Sequence, residues 1–231
     1  MKLLFDCDGT ILDSMHFWLN PINEIFAKYG LSLDEISPEE KGKIEALSID
    51  GMCEYIACNL AHDMTKQEVK EYFNETIEEG YANFLMPKNG TLEILEKLHE
   101  KGYEMAIASS TDSKYLKIAF KRLNIDHYFS FIASPDTTKS KKSDLKFWQY
   151  ALDKLNAKAE DVILYDDALY AIKAAKQIGI ITCGLKDFPH NEKEWDEIKS
   201  QATMTLDGIW DIDIDLSLIH ISEPTRLGMI S

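Results

Sequence analysis

The stretch Leu3-Leu4-Phe5-Asp6-Cys7-Asp8-Gly9-Thr10 decides the predicted fold of this 231-residue chain. Its unbroken apolar start is typical of a strand buried on both faces, as in a parallel sheet. The acids and the glycine that follow cannot extend such a strand, and Gly9 lets the backbone turn close to a ligand. Residues i and i+2 of an extended segment point the same way, so Asp6 and Asp8 can face one ligand. This pairing suits a nucleophile or metal ligand beside a general acid/base.

Beyond residue 86, strand and helix signals alternate along the chain. Apolar runs predict strands at 105–108, 131–133, 162–165 and 180–183, with a helix between each consecutive pair. Repeated β-α units of this kind imply an α/β fold, a Rossmann-like parallel sheet with helices on both faces. We assign residues 1–13 and 87–215 to this catalytic core. Ligands of such sheets bind beyond the carboxyl ends of the strands.

Residues 14–86 carry helix signals with hardly any strand signal, which predicts an inserted, all-helical cap domain. Asn20-Pro21 and Ser37-Pro38 are typical helix starts, and Thr65 with Glu68 forms a capping-box pattern. We expect hinges near Asp13-Ser14 and Met86-Pro87-Lys88, so that the cap can close over the site and exclude water. His16, Phe17 and Trp18 follow the first hinge. They either line the substrate side or, for the two aromatic residues, pack inside the cap.

Polar residues also follow three of the later strands. Ser109, Ser110 and Thr111 come after the 105–108 strand, where hydroxyls and free N–H groups suit a phosphate, although Ser110 or Thr111 could simply cap a helix. A lysine of the 139–142 loop could hold a phosphoryl oxygen. Asp166 and Asp167 end a buried strand, and a bound divalent cation would offset their mutual repulsion. Hard oxygen ligands suit Mg²⁺.

The composition excludes several classes of protein. The chain has 40 acidic and 25 basic residues, a net charge of −15. It lacks the basic footprint of a nucleic-acid binder, and its charge is repelled by anionic membranes. No apolar run approaches the roughly 20 residues of a membrane span, and the N-terminus does not resemble a signal peptide. The four cysteines are scattered, as free thiols of a reducing compartment are. We therefore expect a cytoplasmic protein with neither nucleic-acid nor membrane partners.

Residues 216–231 do not continue the α/β pattern. Their sequence, LSLIHISEPTRLGMIS, resembles the in-frame translation of a transposase adaptor used in sequencing libraries. We expect that this tail is not native and that the natural sequence is interrupted near Asp215. A native hairpin or a disordered tail is the alternative.

The order of these motifs resembles the haloacid dehalogenase-like superfamily, in its subfamily with a helical cap after the first motif. Asp-x-Asp-Gly-Thr, then a serine, then a lysine, then two adjacent aspartates each follow an apolar run. The segment AIKAAKQIG at 171–179 is also close to the family pattern. The resemblance covers essentially residues 1–210. It implies a Mg²⁺-dependent enzyme that works through an aspartyl-phosphate.

The resemblance also implies a role for each residue of the site. Asp6 is the expected nucleophile, and Asp8 is expected to protonate the departing alcohol and then to activate water. The residues expected to bind the phosphoryl group are Ser109, Ser110, Gly9 and Thr10. The expected Mg²⁺ ligands are Asp6, the backbone carbonyl of Asp8, Asp167, and Asp166 directly or through water.

The site lysine is assigned by its spacing. In the family this lysine usually precedes a proline and lies six residues before an aromatic residue that opens Ala-Leu-x-x-Leu. Here Trp148 stands before ALDKL, and counting back six gives Lys142, which Ser143 follows in place of proline. Lys141 is the alternative.

These features predict a Mg²⁺-dependent phosphatase acting on a small phosphorylated metabolite, similar to phosphoglycolate phosphatases. A sugar phosphomutase similar to β-phosphoglucomutase would share the whole site and remains an alternative. A phospho-aspartate signalling or binding module is the non-enzymatic alternative, against which the long helical insert argues. We expect a monomer or a weak homodimer.

Overall fold

The computed structural model describes residues 1–30, 49–61 and 63–214. Its contacts divide the chain into two compact units. One comprises Met1–Asp13 and the chain from Met86 onward, and the other is Ser14–Leu85. The predicted helix start at Ser37-Pro38 and the predicted non-native tail at 216–231 lie outside the described residues.

The first unit is built on a six-stranded parallel sheet in the order β3-β2-β1-β4-β5-β6. The strands are β1 (Lys2–Phe5), β2 (Glu104–Ala108), β3 (Phe129–Ala133), β4 (Val162–Asp166), β5 (Ile181–Leu185) and β6 (Met204–Leu206). The helices of this unit are α4 (Thr91–Glu100), α5 (Ser113–Leu123), α6 (Pro135–Thr138), α7 (Leu145–Leu155), α8 (Leu169–Gln177) and α9 (Trp195–Gln201). The predicted Rossmann-like α/β architecture is therefore confirmed.

The register of the central strands determines where the site lies. Phe5, the last residue of β1, pairs with Ile107 of β2 on one side and with Tyr165 of β4 on the other. The carboxyl ends of these three strands therefore meet at one edge of the sheet. The polar residues that follow β1 and β2, and those that end β4, are brought together there, as expected for parallel sheets.

Helix α7 packs on one face of this sheet and fixes the loop before it. Phe147 and Trp148 of α7 lie in a buried cluster with Leu4 of β1 and Leu164 of β4. Burial of such large apolar side chains is the main favourable contribution to the core. The indole Nε1 of Trp148 also donates a hydrogen bond to the carbonyl oxygen of Lys142, over 2.9 Å. The core is thus tied directly to the loop that carries the site lysine.

Two elements near the end of the described chain were not predicted from the sequence, where the α/β pattern was taken to finish at residue 183. Helix α9 and strand β6 continue it, and β6 pairs in parallel with β5. Helix α9 buries only Ile198 fully, so its apolar periodicity is too weak to recognise.

The second unit is helical in its described part. Its helices are α1 (Asn20–Lys28), α2 (Ile49–Asn59) and α3 (Lys66–Glu79). The predicted capping box is present, since the backbone N–H of Glu68 donates to Thr65 Oγ1 and Glu68 Oε2 accepts from the backbone N–H of Thr65. Phe17 is buried against Gly80, where a Cβ would stand 2.1 Å from its ring. Trp18 makes an edge contact with Tyr81. Both aromatic residues thus pack within the unit.

No helix in the described residues combines the length and the apolar character that a membrane span requires.

Candidate active site

Lys142 and two aspartates form the buried centre of the site. Asp6 directly follows β1, and its backbone N–H donates to the carbonyl oxygen of Tyr165 over 2.9 Å. The Nζ atom of Lys142 pairs with Asp6 Oδ1 and lies 2.6 Å from Asp166 Oδ2. Lys142 is only 2% exposed, whereas Lys141 is exposed. The structure therefore places Lys142 at the acids, as the spacing from the aromatic residue predicted.

Three of the predicted metal ligands lie close enough to share one cation. Asp6, Asp166 and Asp167 are buried, and each offers a carboxylate oxygen within 4.8 Å of the others. Burial raises the pKa of Asp6 to about 7, against the opposing charge of Lys142. Burial, followed by the charges of Asp6 and Asp166, raises the pKa of Asp167 well above its usual range.

Raised pKa values in a group of carboxylates mean that the ionised forms lack enough positive charge around them. Lys142 supplies one such charge for several acids. A divalent cation would supply the rest, and carboxylate oxygens are the donors that Mg²⁺ prefers. The side chains of this cluster therefore fit a bound Mg²⁺. The carboxylate of Asp8 is not part of the cluster, and its predicted contribution was through the backbone carbonyl.

Asp8 is held by the loop that follows β2. Thr111 Oγ1 donates a hydrogen bond to Asp8 Oδ2 over 2.7 Å. The backbone N–H of Thr111 donates to Ser109 Oγ over 3.1 Å. Asp8 remains half-buried. The predicted acid/base and the predicted phosphate-binding serine are thus linked through one threonine.

Gly9 and Thr10 shape the space around Asp167. Gly9 has a φ of +87°, and a Cβ there would stand 2.7 Å from Asp167 Oδ2. Only glycine suits both the left-handed backbone and this close approach. Thr10 Oγ1 donates to Asp167 Oδ1 over 3.2 Å. The structure thus shows the hydroxyl of Thr10 orienting a carboxylate, while its predicted contact with phosphate stays a prediction.

The loop after β2 is anchored by an aspartate that the sequence did not point to. Asp136 accepts hydrogen bonds from the backbone N–H of Ser113, over 2.9 Å, and from its hydroxyl, over 2.7 Å. Burial raises the pKa of Asp136, but these bonds and one from Ser134 outweigh the effect of burial and hold the pKa at about 2.

Ser110, which the sequence predicted to bind phosphate, is exposed, and its hydroxyl lies 2.8 Å from that of Tyr170.

Three further residues beside the cluster were missed by sequence reasoning. Lys88 Nζ donates to the carbonyl oxygen of Gly9 over 2.7 Å and pairs with Asp187. The side-chain amide of Asn191 donates to the carbonyl oxygen of Asp167 over 2.9 Å, and its oxygen accepts from the backbone N–H of Asp187. Asp187 lies two residues past β5. The rule that polar residues just after a strand belong to the site would therefore have selected Asp187 if the end of β5 had been predicted correctly.

Comparison with known proteins gives consistent matches. The model of the family "Haloacid dehalogenase-like hydrolase" matches residues 3–185. A "Phosphorylated carbohydrates phosphatase" of Thermotoga maritima is 26% identical over 188 residues, covering 77% of this chain and 81% of that protein. A "Phosphoglycolate phosphatase" of Vibrio cholerae is 26% identical over 196 residues, covering 80% and 84%. The crystal structure of an Entamoeba histolytica HAD hydrolase, 16% identical, superposes with a TM-score of 0.75 over 96% of this chain and 99% of that one.

Proposed function

The chain belongs to the family of haloacid dehalogenase-like hydrolases, and on this premise we propose that it is a Mg²⁺-dependent phosphatase of a small phosphorylated metabolite. The resemblance that the motifs predicted is thereby confirmed, as is the prediction of an enzyme of the hydrolase class. The observation that carries the proposal is the buried contact of Lys142 with Asp6 and Asp166 next to Asp167. The names of the two phosphatase relatives support it.

In the proposed reaction, a carboxylate oxygen of Asp6 attacks phosphorus while the bond from phosphorus to the substrate oxygen breaks. Asp8 gives its proton to that departing oxygen, and the alcohol leaves. Asp8 then takes a proton from a water molecule, which attacks the aspartyl-phosphate. Inorganic phosphate is released and the carboxylate of Asp6 is restored. Phosphoryl transfer of this kind depends on positioning and charge neutralisation, which the fixed site supplies.

Each residue of the site has a part in this proposal. Lys142 favours the ionised form of Asp6 and orients its carboxylate through their ion pair. The bond from Thr111 orients Asp8, whose partial exposure gives it access to water. Ser109 and the start of the loop after it would receive the phosphoryl oxygens. Mg²⁺, held by Asp6, Asp167, the backbone carbonyl of Asp8 and, directly or through water, Asp166, would neutralise charge on the phosphoryl group.

We assign substrate selection to the second unit, Ser14–Leu85, as a cap. The chain leaves the first unit directly after the Asp6–Asp8 motif and returns at Met86. The two crossings lie side by side, because the backbone N–H of Asp13 donates to the carbonyl oxygen of Met86 over 2.9 Å. An insert tethered at two adjacent points can move as one body. A cytoplasmic location and a monomeric or weakly dimeric state stay predictions.

Hydrolysis of p-nitrophenyl phosphate tests this function. We expect turnover with MgCl₂, its loss in EDTA, and a fall of about a thousandfold or more in kcat for Asp6→Asn, because an amide cannot act as the nucleophile. Asp13→Asn is the matched control, since Asp13 is an exposed acid near the same loop and outside the cluster. Full activity of Asp6→Asn would overturn the assignment. Isomerisation of glucose 1-phosphate without release of phosphate would favour the phosphomutase alternative.

A further inference from the structure

One carboxylate oxygen beside the acidic cluster lacks a hydrogen-bond partner among the described residues. Asp187 is 6% exposed, its Oδ1 atom pairs with Lys88, and its backbone N–H donates to Asn191. Its Oδ2 atom is buried and receives no hydrogen bond in the described part of the chain. A buried carboxylate oxygen without a hydrogen-bond donor destabilises the fold, so such an oxygen indicates a partner that is bound in the working protein.

This oxygen lies close to one of the acids of the predicted metal site. A Cβ on Gly9 would stand 2.9 Å from Asp187 Oδ2 and 2.7 Å from Asp167 Oδ2. Both oxygens therefore lie close to the same point above the Gly9 backbone. Asn191 ties the two acids together, since it contacts the backbone of each. Two carboxylate oxygens held this close repel each other unless a positive charge or a donor lies nearby.

We propose that Asp187 is a fourth acid of the cation site, where its Oδ2 atom accepts a hydrogen bond from a water molecule bound to the cation. The proposal rests on the cation of the proposed function. It assigns a water-mediated contact because Asp187 does not join the three acids whose oxygens lie within 4.8 Å of one another. Mg²⁺ usually keeps several of its waters in proteins, and each water is a donor in need of an acceptor.

The surroundings of Asp187 suit this role. Lys88 contacts only Oδ1, so it fixes the orientation of the carboxylate and leaves Oδ2 without a hydrogen-bond partner among the described residues. Asn191 holds the backbone of the same residue. An acceptor that is oriented before the ion binds strengthens metal binding, and removing such outer partners typically weakens it by 10-fold or more. Asp187 is thus a positioning residue for the hydrated cation.

Isothermal titration of the metal-free full chain with MgCl₂ tests the proposal. We expect Asp187→Asn to raise the Kd for Mg²⁺ by about 10-fold, because an amide is a weaker acceptor than a carboxylate. Asp207→Asn is the matched control, since it removes an equal charge from an exposed acid that pairs with Lys186. Screening by salt should keep its effect within about twofold.

Melting temperature supplies a second readout that is independent of turnover. In EDTA, Asp187→Asn should melt below the wild type because it loses the ion pair with Lys88, and the further rise in melting temperature on adding Mg²⁺ should be smaller than in the wild type. Should this variant fail to fold, Asp187→Ser, which also removes the carboxylate, takes its place with the same expected weakening.

The outcomes separate this inference from the proposed function. A wild type that binds Mg²⁺, together with an Asp187→Asn variant of unchanged Kd, would overturn the inference and leave the phosphatase proposal intact. A wild type that binds no Mg²⁺ would overturn both.

Discussion

Two lysines approach the Asp6–Gly9 loop, and they do so from similar positions in the fold. Lys142 lies three residues before α7, and Lys88 lies three residues before α4. Lys142 is fully buried and contacts two acids, Asp6 and Asp166. Lys88 is partly exposed and contacts one acid, Asp187, and the carbonyl oxygen of Gly9. Lys142 thus balances the charge of two buried acids, while Lys88 contacts the backbone of the loop.

The acid that neither lysine contacts shows where positive charge is missing. Burial lowers the pKa of Lys142, but the charges of Asp166 and Asp6 outweigh it, so the lysine stays charged. Asp167 has no ion pair with either lysine among the described residues, and burial leaves its pKa well above the usual range. Asp167 is therefore the buried acid beside which the proposed cation would add the positive charge that the two lysines do not supply.

The largest effect should come from Lys142→Met. This change leaves Asp6 and Asp166 buried without their shared cation, and breaking a buried pair typically costs 3–5 kcal/mol, so we expect about 3 kcal/mol off the free energy of unfolding. Phosphatase activity should fall below detection. Urea denaturation in EDTA at neutral pH measures the loss of stability.

Lys141→Met, which changes the exposed neighbour, is the control and should change the free energy of unfolding by less than about 0.5 kcal/mol. Equal stability of the two variants would contradict the comparison.

Lys142 and the polar residues at the ends of β1, β2 and β4 were predicted from the sequence, and the structure gives the reason. Buried parallel strands produce apolar runs, so the ends of β1, β2 and β4 are easily located, and polar residues there collect at one edge. The spacing that selected Lys142 also has a structural cause, because the indole of Trp148 binds the backbone of this lysine. Apolar runs and short spacings in the sequence therefore predict the positions of these residues directly.

Lys88, Asp187 and Asn191 were not found, because no local motif or spacing in the sequence marks them. Lys88 was assigned only to a hinge, and its partners lie 79 and 99 residues away. Asp187 was missed because β5 was taken to finish at Cys183, before a glycine. The strand continues through Gly184, where a Cβ would stand 2.5 Å from Ile198 of α9. That glycine reflects helix packing rather than a turn, and α9 itself was not predicted.

An intermediate effect should appear in the pH dependence of the metal-free protein. The pKa of Asp6 is raised by burial from 3.8 to about 7. Between these values the unfolded chain ionises first, so raising the pH should lower the free energy of unfolding. We expect the melting temperature in EDTA to fall over this range, and Asp6→Asn to reduce the fall. Asp13→Asn should follow the wild type. Parallel curves for the wild type and Asp6→Asn would contradict the prediction.

The smallest effect should come from Lys88→Met, because this lysine contacts the backbone of the Asp6–Gly9 loop and a single acid, Asp187. This change removes one ion pair and one hydrogen bond to Gly9, so we expect a loss of about 1.5 kcal/mol in the free energy of unfolding. Lys186→Met, which removes a lysine whose Nζ lies 3.3 Å from Asp207, is the matched control and should cost less than about 0.5 kcal/mol.

A double variant sharpens this last prediction, because part of the cost of Lys88→Met is the charge left uncompensated on Asp187. Removing that charge as well, in Lys88→Met with Asp187→Asn, should recover some stability in EDTA. The combined loss should therefore be smaller than the sum of the two single losses, as expected for residues in direct contact. Urea denaturation of the four proteins measures the coupling. Strict additivity would show that Lys88 acts through Gly9 alone and that the Lys88–Asp187 pair does not stabilise the loop.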